Sequence, residues 1–227
     1  MRILGLLLAS IGLPYFVLST TGPLIQAWFA RERSGQVPYR LFALSNFGSM
    51  LALIAYPLAI EPVLSTRLQS WAWSGLFATF VVACGLLAWR GRNSQPLEIR
   101  HHDEAQPITA RQLMLWAALA ACPSILMVAN TSFLTQNIAP IPLLWVAPLG
   151  LYLLSFILAF EGRGWYRRGL YLPLLVVSLA ALAWLPTLGL TALPIQWSMG
   201  INLAAFFVAC MACHGELARH QPHPAQL

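Results

Sequence analysis

The longest uncharged runs decide what this chain can fold into. Residues 3–30 contain no Asp, Glu, Lys or Arg, and neither do 41–60, 68–89, 112–160 or 169–215. A helix needs roughly 20 apolar residues to cross about 30 Å of hydrocarbon. The first three runs each hold one such segment and the last two are long enough for two each. Lipid-spanning strands would alternate apolar and polar residues every second position, and these runs do not. The expected fold is therefore all-α: a polytopic transmembrane helix bundle of about seven spans, forming one module over 1–227. The spans are placed near 3–30, 41–60, 68–89, 113–133, 141–160, 170–190 and 193–213, with a soluble connector at 90–111. Asn130, Thr131, Gln136, Asn137, Pro140 and Pro142 mark the turn inside the fourth run. Pro186, Gly189 and Pro194 mark the turn inside the fifth.

Composition agrees. Only 9% of the 227 residues are charged and 59% are hydrophobic, whereas a soluble domain carries roughly 25% charged residues. That excludes an ordinary soluble enzyme domain, a disordered chain and a nucleic-acid binder. Met1-Arg2 followed by an apolar run resembles a secretory signal, but the run continues to Ala30 without a cleavage site, so it reads as a span.

The few charges set the orientation. All 13 cations are Arg. With seven spans, Arg2 and Arg67 fall on one side. Arg31, Arg33, Arg40, Arg90, Arg92, Arg100, Arg111, Arg163, Arg167, Arg168 and Arg219 fall on the other, eleven against two. The positive-inside rule makes the second side cytoplasmic, with the N-terminus outside, the C-terminus inside and the 90–111 connector cytoplasmic. Trp28, Tyr39, Trp71, Trp89, Trp165, Tyr166 and Tyr171 form the expected interfacial aromatic belt.

Polar residues inside spans are the candidates for function. Pro14, Gly22 and Pro23, with Ser19, Thr20 and Thr21 between them, read either as a broken helix lining a site or as a plain kink. Asn46 reads as an inter-helix hydrogen bond or a substrate contact. Ser45 and Ser49 fit a small-residue packing face. Glu61 reads as an outer-face acid that attracts a cation or as an interfacial residue. His214 and Glu216 read as a proton or cation path, or as a helix terminus in which Arg219 pairs with Glu216. The sequence thus nominates an intramembrane polar site of Pro14, Thr20, Thr21, Asn46, Glu61, His214 and Glu216.

Cys210, Cys213 and His214 match the C-x-x-C-H pattern of covalent haem attachment, but the predicted cytoplasmic position opposes it. Redox chemistry or metal binding by the two cysteines is a further reading, and simple packing is the plainest. The four cysteines, Cys84 and Cys122 included, lie in apolar surroundings and do not form a secreted disulfide framework. His101, His102, Asp103 and Glu104 carry ligand-type groups on a solvated connector. There is no nucleotide-binding glycine loop, no H-E-x-x-H and no hydrolase triad. No enzymatic activity, cofactor, metal or nucleic-acid partner is therefore expected; the expected partner is the lipid bilayer.

Several stretches carry a family resemblance: GLPYFVLSTTGPL at 12–24, ALSNFGS at 43–49, Tyr56-Pro57 with Glu61-Pro62, PLLWV at 142–146 running on to Phe160, and CHGELAR at 213–219. Together they resemble the membrane region of bacterial fused proteins in which a multi-pass, major-facilitator-like region precedes a spermidine-synthase-like domain. The resemblance implies an inner-membrane module. It also implies that the chain is a fragment or split form, lacking further helices and the synthase-like domain. Two functions are expected: a transport-like module for a small organic cation, from the first span's Pro and Thr residues with Asn46, Glu61, His214 and Glu216, or, from the resemblance and the expected cytoplasmic C-terminus, a structural anchor orienting a cytoplasmic synthase-like domain or partner.

Overall fold

The structure, a computed structural model, describes residues 2–32, 39–91, 109–137, 144–161, 164–184, 187 and 194–220. The central part of the 90–111 connector, with its His101–Glu104 cluster, lies outside these residues, as do Pro140, Pro142, Pro186 and Gly189. The described residues are helical apart from short turns, with no strand. Eight α-helices follow in order: α1 (Arg2–Leu7), α2 (Leu13–Glu32), α3 (Tyr39–Ala55), α4 (Thr66–Gly91), α5 (Ala110–Asn137), α6 (Val146–Phe160), α7 (Arg168–Trp184) and α8 (Ile195–Arg219). A π-turn at Leu8–Gly12 joins α1 to α2, and another at Tyr56–Ile60 extends α3.

Each run expected to span is helical, but length separates them. Ile3–Gly22, Leu41–Ile60, Thr66–Arg90, Ala110–Gln136 and Ile195–Arg219 are long and apolar enough to cross a membrane. The stretches expected at 141–160 and 170–190 are shorter: α6 has 15 residues and α7 has 17. At 1.5 Å per residue these reach about 22 and 25 Å, short of a full hydrocarbon core. Among the described residues, five helices are therefore long and apolar enough to cross a membrane.

Local sequence explains several ends and irregularities. Thr109 and Gln112 form a capping box at the start of α5. The Thr109 N–H donates to Gln112 Oε1 at 2.9 Å and the Gln112 N–H to Thr109 Oγ1 at 3.3 Å. Pro194, extended at φ −52° and ψ 140°, precedes α8. Both π-turns lie beside or over a proline, Pro14 and Pro57, whose missing N–H breaks the i−4 ladder. The Glu61 N–H bonds the Tyr56 carbonyl at 2.8 Å, five residues back.

The chain divides into two compact units. One comprises Met1–Pro38, Ser70–Ala105 and His223–Leu227; the other comprises Tyr39–Gln69 and Gln106–Pro222. The first holds α1, α2 and most of α4. Its side chains Ile3, Leu8, Phe16, Trp71, Leu76 and Trp89 are all exposed, as a lipid-facing surface would be.

In the second unit α8 is the axis. It packs on α5, α6 and α7, and α6 in turn packs on α3. The core gathers on α8, where Ala205, Phe206, Ala209, Cys210, Met211 and Ala212 are buried. Ala205, Ala209 and Ala212 recur at helical spacing, and such small residues let neighbouring backbones approach closely. In lipid that close approach, rather than water exclusion, supplies the packing energy.

Candidate functional site

Two of the polar side chains that the second unit buries, His214 and Ser155, meet at the C-terminal half of α8. His214 is 1% exposed and Ser155 of α6 is fully buried. The Ser155 hydroxyl donates back to the Tyr152 carbonyl at 2.8 Å. The same oxygen lies 3.0 Å from His214 Nδ1, within hydrogen-bond distance. Tyr152 and Phe156 meet the imidazole edge-on, with centroids at 5.1 and 5.2 Å. The Tyr152 hydroxyl reaches Ser124 of α5 at 3.4 Å. One histidine thus sits in an aromatic box built by α6, with a serine fixing its ring.

Two residues further on, Glu216 is held in a clamp. The Tyr166 hydroxyl donates to Glu216 Oε1 at 2.7 Å and the Arg168 Nε lies 3.4 Å from the same oxygen. His220 Nδ1 lies 3.9 Å from Oε2. The guanidinium that reaches Glu216 comes from the start of α7, not from Arg219 as the sequence spacing suggested; Arg168 lies across the bundle and so has no helical spacing to betray it. Burial, then the hydrogen bond to Glu216 and its charge, push the Tyr166 phenol up from 10.0 to about 12. Its ring lies over Gly215, where an added Cβ would run into it. Tyr166 is therefore part of the clamp as well as of the expected belt; Trp71, Trp89 and Trp165 remain exposed. The Trp116 indole N–H donates to the His220 carbonyl at 2.8 Å and ties α5 to the same end.

The other nominated residues are placed differently. Residues 13–32 form one continuous helix through Pro14, Gly22 and Pro23, and the irregularity beside them is the π-turn before Pro14. The hydroxyls of Thr20 and Thr21 bond carbonyls of their own helix, Phe16 at 3.0 Å and Val17 at 2.8 Å. Asn46 spends its Nδ2 on the Phe42 carbonyl at 2.8 Å, one turn back, rather than on another helix. Glu61 is exposed beyond the second π-turn. Asn130, Thr131 and Gln136 lie within α5 rather than in a turn. Of the seven, His214 and Glu216 are each drawn into a polar cluster with residues of other elements.

Within the C-x-x-C-H pattern, Cys210 is buried, Cys213 is partly covered and His214 meets Ser155, Tyr152 and Phe156 of α6. Among the described residues no group of three or more His, Cys, Asp or Glu side chains is placed to hold a metal. Two buried oxygens, Asn130 Oδ1 and Asn202 Oδ1, have no hydrogen-bond partner, at a cost of about 1–3 kcal/mol each.

Sequence reasoning missed Ser155, Tyr152, Phe156 and Arg168. Ser155 is the one polar residue in an otherwise apolar α6 apart from Tyr152, and that isolation was the available signal. No family model, no curated protein and no solved structure matches the chain.

Proposed function

We propose that this chain is a structural module of a bacterial inner membrane, without catalytic activity of its own. On this reading it anchors and orients a cytoplasmic spermidine-synthase-like domain or partner, as the resemblance implies. The carrying observation is how α8 is used. It packs on α5, α6 and α7, and its C-terminal turn is fastened by Tyr166 and Arg168 at the start of α7 and by Trp116 of α5. A helix end held this way transmits a fixed direction to whatever follows it. The hydroxyls and the amide nominated for a transport path, by contrast, are spent on their own helices.

The proposal includes seven crossings, with the N-terminus outside and the C-terminus in the cytoplasm. The clamp supports it. Tyr166, just before α7, and Arg168, its first residue, meet the C-terminal end of α8, beside the N-terminal end of α5. If α5 and α8 cross, the α6–α7 turn lies at their cytoplasmic ends, so α6 and α7 traverse as well. Two short spans are accommodated by local thinning of the bilayer. Dropping both crossings would move Arg163, Arg167 and Arg168 outside and weaken the eleven-to-two bias to eight against five.

Reporter fusions and reconstitution test the reading. A fluorescent protein fused after Leu227 should be bright and alkaline phosphatase at that point inactive. Proteoliposomes of the chain should accumulate no labelled putrescine or spermidine above empty liposomes. Uptake that saturates with substrate would replace the anchor with the transport-like function.

A further inference from the structure

The end of the second unit that holds the Glu216 clamp carries more positive charge than the clamp uses. The described arginines at this end of α5 to α8 are Arg111, Arg167, Arg168 and Arg219, against Glu161 and Glu216. The Glu216 side chain is drawn in, at 13% exposure, whereas Arg168 stays 55% exposed with its Nε 3.4 Å from the carboxylate. A guanidinium has five donors, and this approach engages one of them. Arg167 and Arg219 are exposed as well. Arg167 immediately precedes Arg168, and Arg219 stands three residues after Glu216, a neighbour on the same helix surface. The Arg168–Glu216 contact therefore brings three guanidiniums to one carboxylate. An apolar stripe begins in the same turn. The Leu170 N–H donates to the Arg167 carbonyl at 2.9 Å. Leu170, Leu174 and Val177 then follow at i, i+4 and i+7, so they share one face of α7, and all three are exposed.

We propose that Arg167, Arg168 and Arg219 hold the phosphate of an anionic glycerophospholipid, with an acyl chain laid along Leu170, Leu174 and Val177. Guanidinium forks match phosphate oxygens two at a time. The surplus charge selects the headgroup. Once Arg168 is set against Glu216, two arginines are left over, so phosphatidylglycerol is favoured over phosphatidylethanolamine, whose ammonium cancels its phosphate. The apolar stripe selects a lipid over a free phosphate, which has nothing to place there. Bound in this way, the lipid bridges α7 and α8 where the clamp does and holds the end of α8 at headgroup level. The inference rests on the membrane placement of α7 and α8, which the reporter fusions test separately; lipid binding in detergent does not depend on which face is cytoplasmic.

The experiment uses the full chain in a neutral detergent, with native mass spectrometry counting bound lipids. The probes are dioleoyl phosphatidylglycerol and dioleoyl phosphatidylethanolamine. The first phosphatidylglycerol should bind about 25-fold more tightly than the first phosphatidylethanolamine, about fivefold for each surplus arginine. Arg167→Gln/Arg219→Gln should erase that preference. Arg111→Gln is the control, because it removes the same charge from the same end of the bundle. Arg111 lies five residues before Trp116, about 140° around α5 from the side that meets α8, so its loss should leave the preference intact. Should the double variant lose its helical circular dichroism, Arg167→Gln alone decides: Arg167 precedes α7, and its loss should cut the preference about fivefold. Equal affinity of the unaltered chain for the two lipids would overturn the site. So would an equal loss in Arg111→Gln, which would spread the binding over the whole charged face. Displacement of the lipid by equimolar glycerol 3-phosphate would replace the lipid with a soluble phosphate.

Discussion

At the scale of single residues, burial and partner choice account for the second unit's polar chemistry. Tyr166 is the clearest case. Its phenol is raised in the folded state to about 12, because burial and the Glu216 carboxylate both disfavour the phenolate. A raised folded value means the contribution is complete below the unfolded value, near 10. It is lost as the pH climbs through about 12. Absorbance at 295 nm should therefore show one tyrosine ionising last, and Tyr166→Phe should remove that step. The same substitution should cost about 1.5–3 kcal/mol, the range for hydrogen bonds to charged groups, read as a lower unfolding midpoint in detergent. For the buried histidine, His214→Ala should be more damaging than His214→Phe. The Phe ring keeps the edge-on contacts with Tyr152 and Phe156 and loses only the Ser155 bond. The gap between the two midpoints measures the packing part.

At the scale of elements, close approach decides which helices hold together. Gly215 lies under the Tyr166 ring. Gly215→Ala would force the ring off α8, costing about 1–3 kcal/mol as overpacking. It would also carry the Tyr166 titration back toward 10. Gly150→Ala in α6, where an added Cβ meets nothing, should leave the midpoint unchanged or raise it slightly; it serves as the control helix substitution. The π-turns show the opposite relation, in which sequence acts locally. Pro14 and Pro57 remove a donor and the backbone shifts to i+5 bonds without the helix ending. Pro23, Pro123 and Pro173, by contrast, lie within continuous α-helix, so a proline in an apolar run does not by itself mark an irregularity.

At the scale of the whole molecule, the outward surface is apolar along most helices and the charges lie at their ends. Cysteine-accessibility mapping should place introduced cysteines at 165 and 221 on the same face. Impermeant maleimide added to spheroplasts should label neither, and should label both after permeabilisation. Labelling of 165 from outside would leave five crossings in place of seven. Helical class and the places of the helices were legible in the sequence, because a chain with runs of 20 or more uncharged residues can satisfy its backbone in lipid only within itself. His214 and Glu216 were legible as candidates, because ionisable groups at a span end are rare in so apolar a chain. Their partners were not. Arg168 meets Glu216 from 48 positions away and Ser155 meets His214 from 59, and no spacing rule connects such pairs. The effective lengths of α6 and α7 were hidden too, since uncharged residues continue past the helix ends. The sequence by itself determined a helical, membrane-compatible chain and a bias in its loop charges, because those follow from backbone hydrogen bonding and the cost of charge in hydrocarbon. Only the tertiary structure decided which side chains meet His214, which cation holds Glu216 and which helix is the axis. Those depend on rotation about each helix, which packing sets and composition does not.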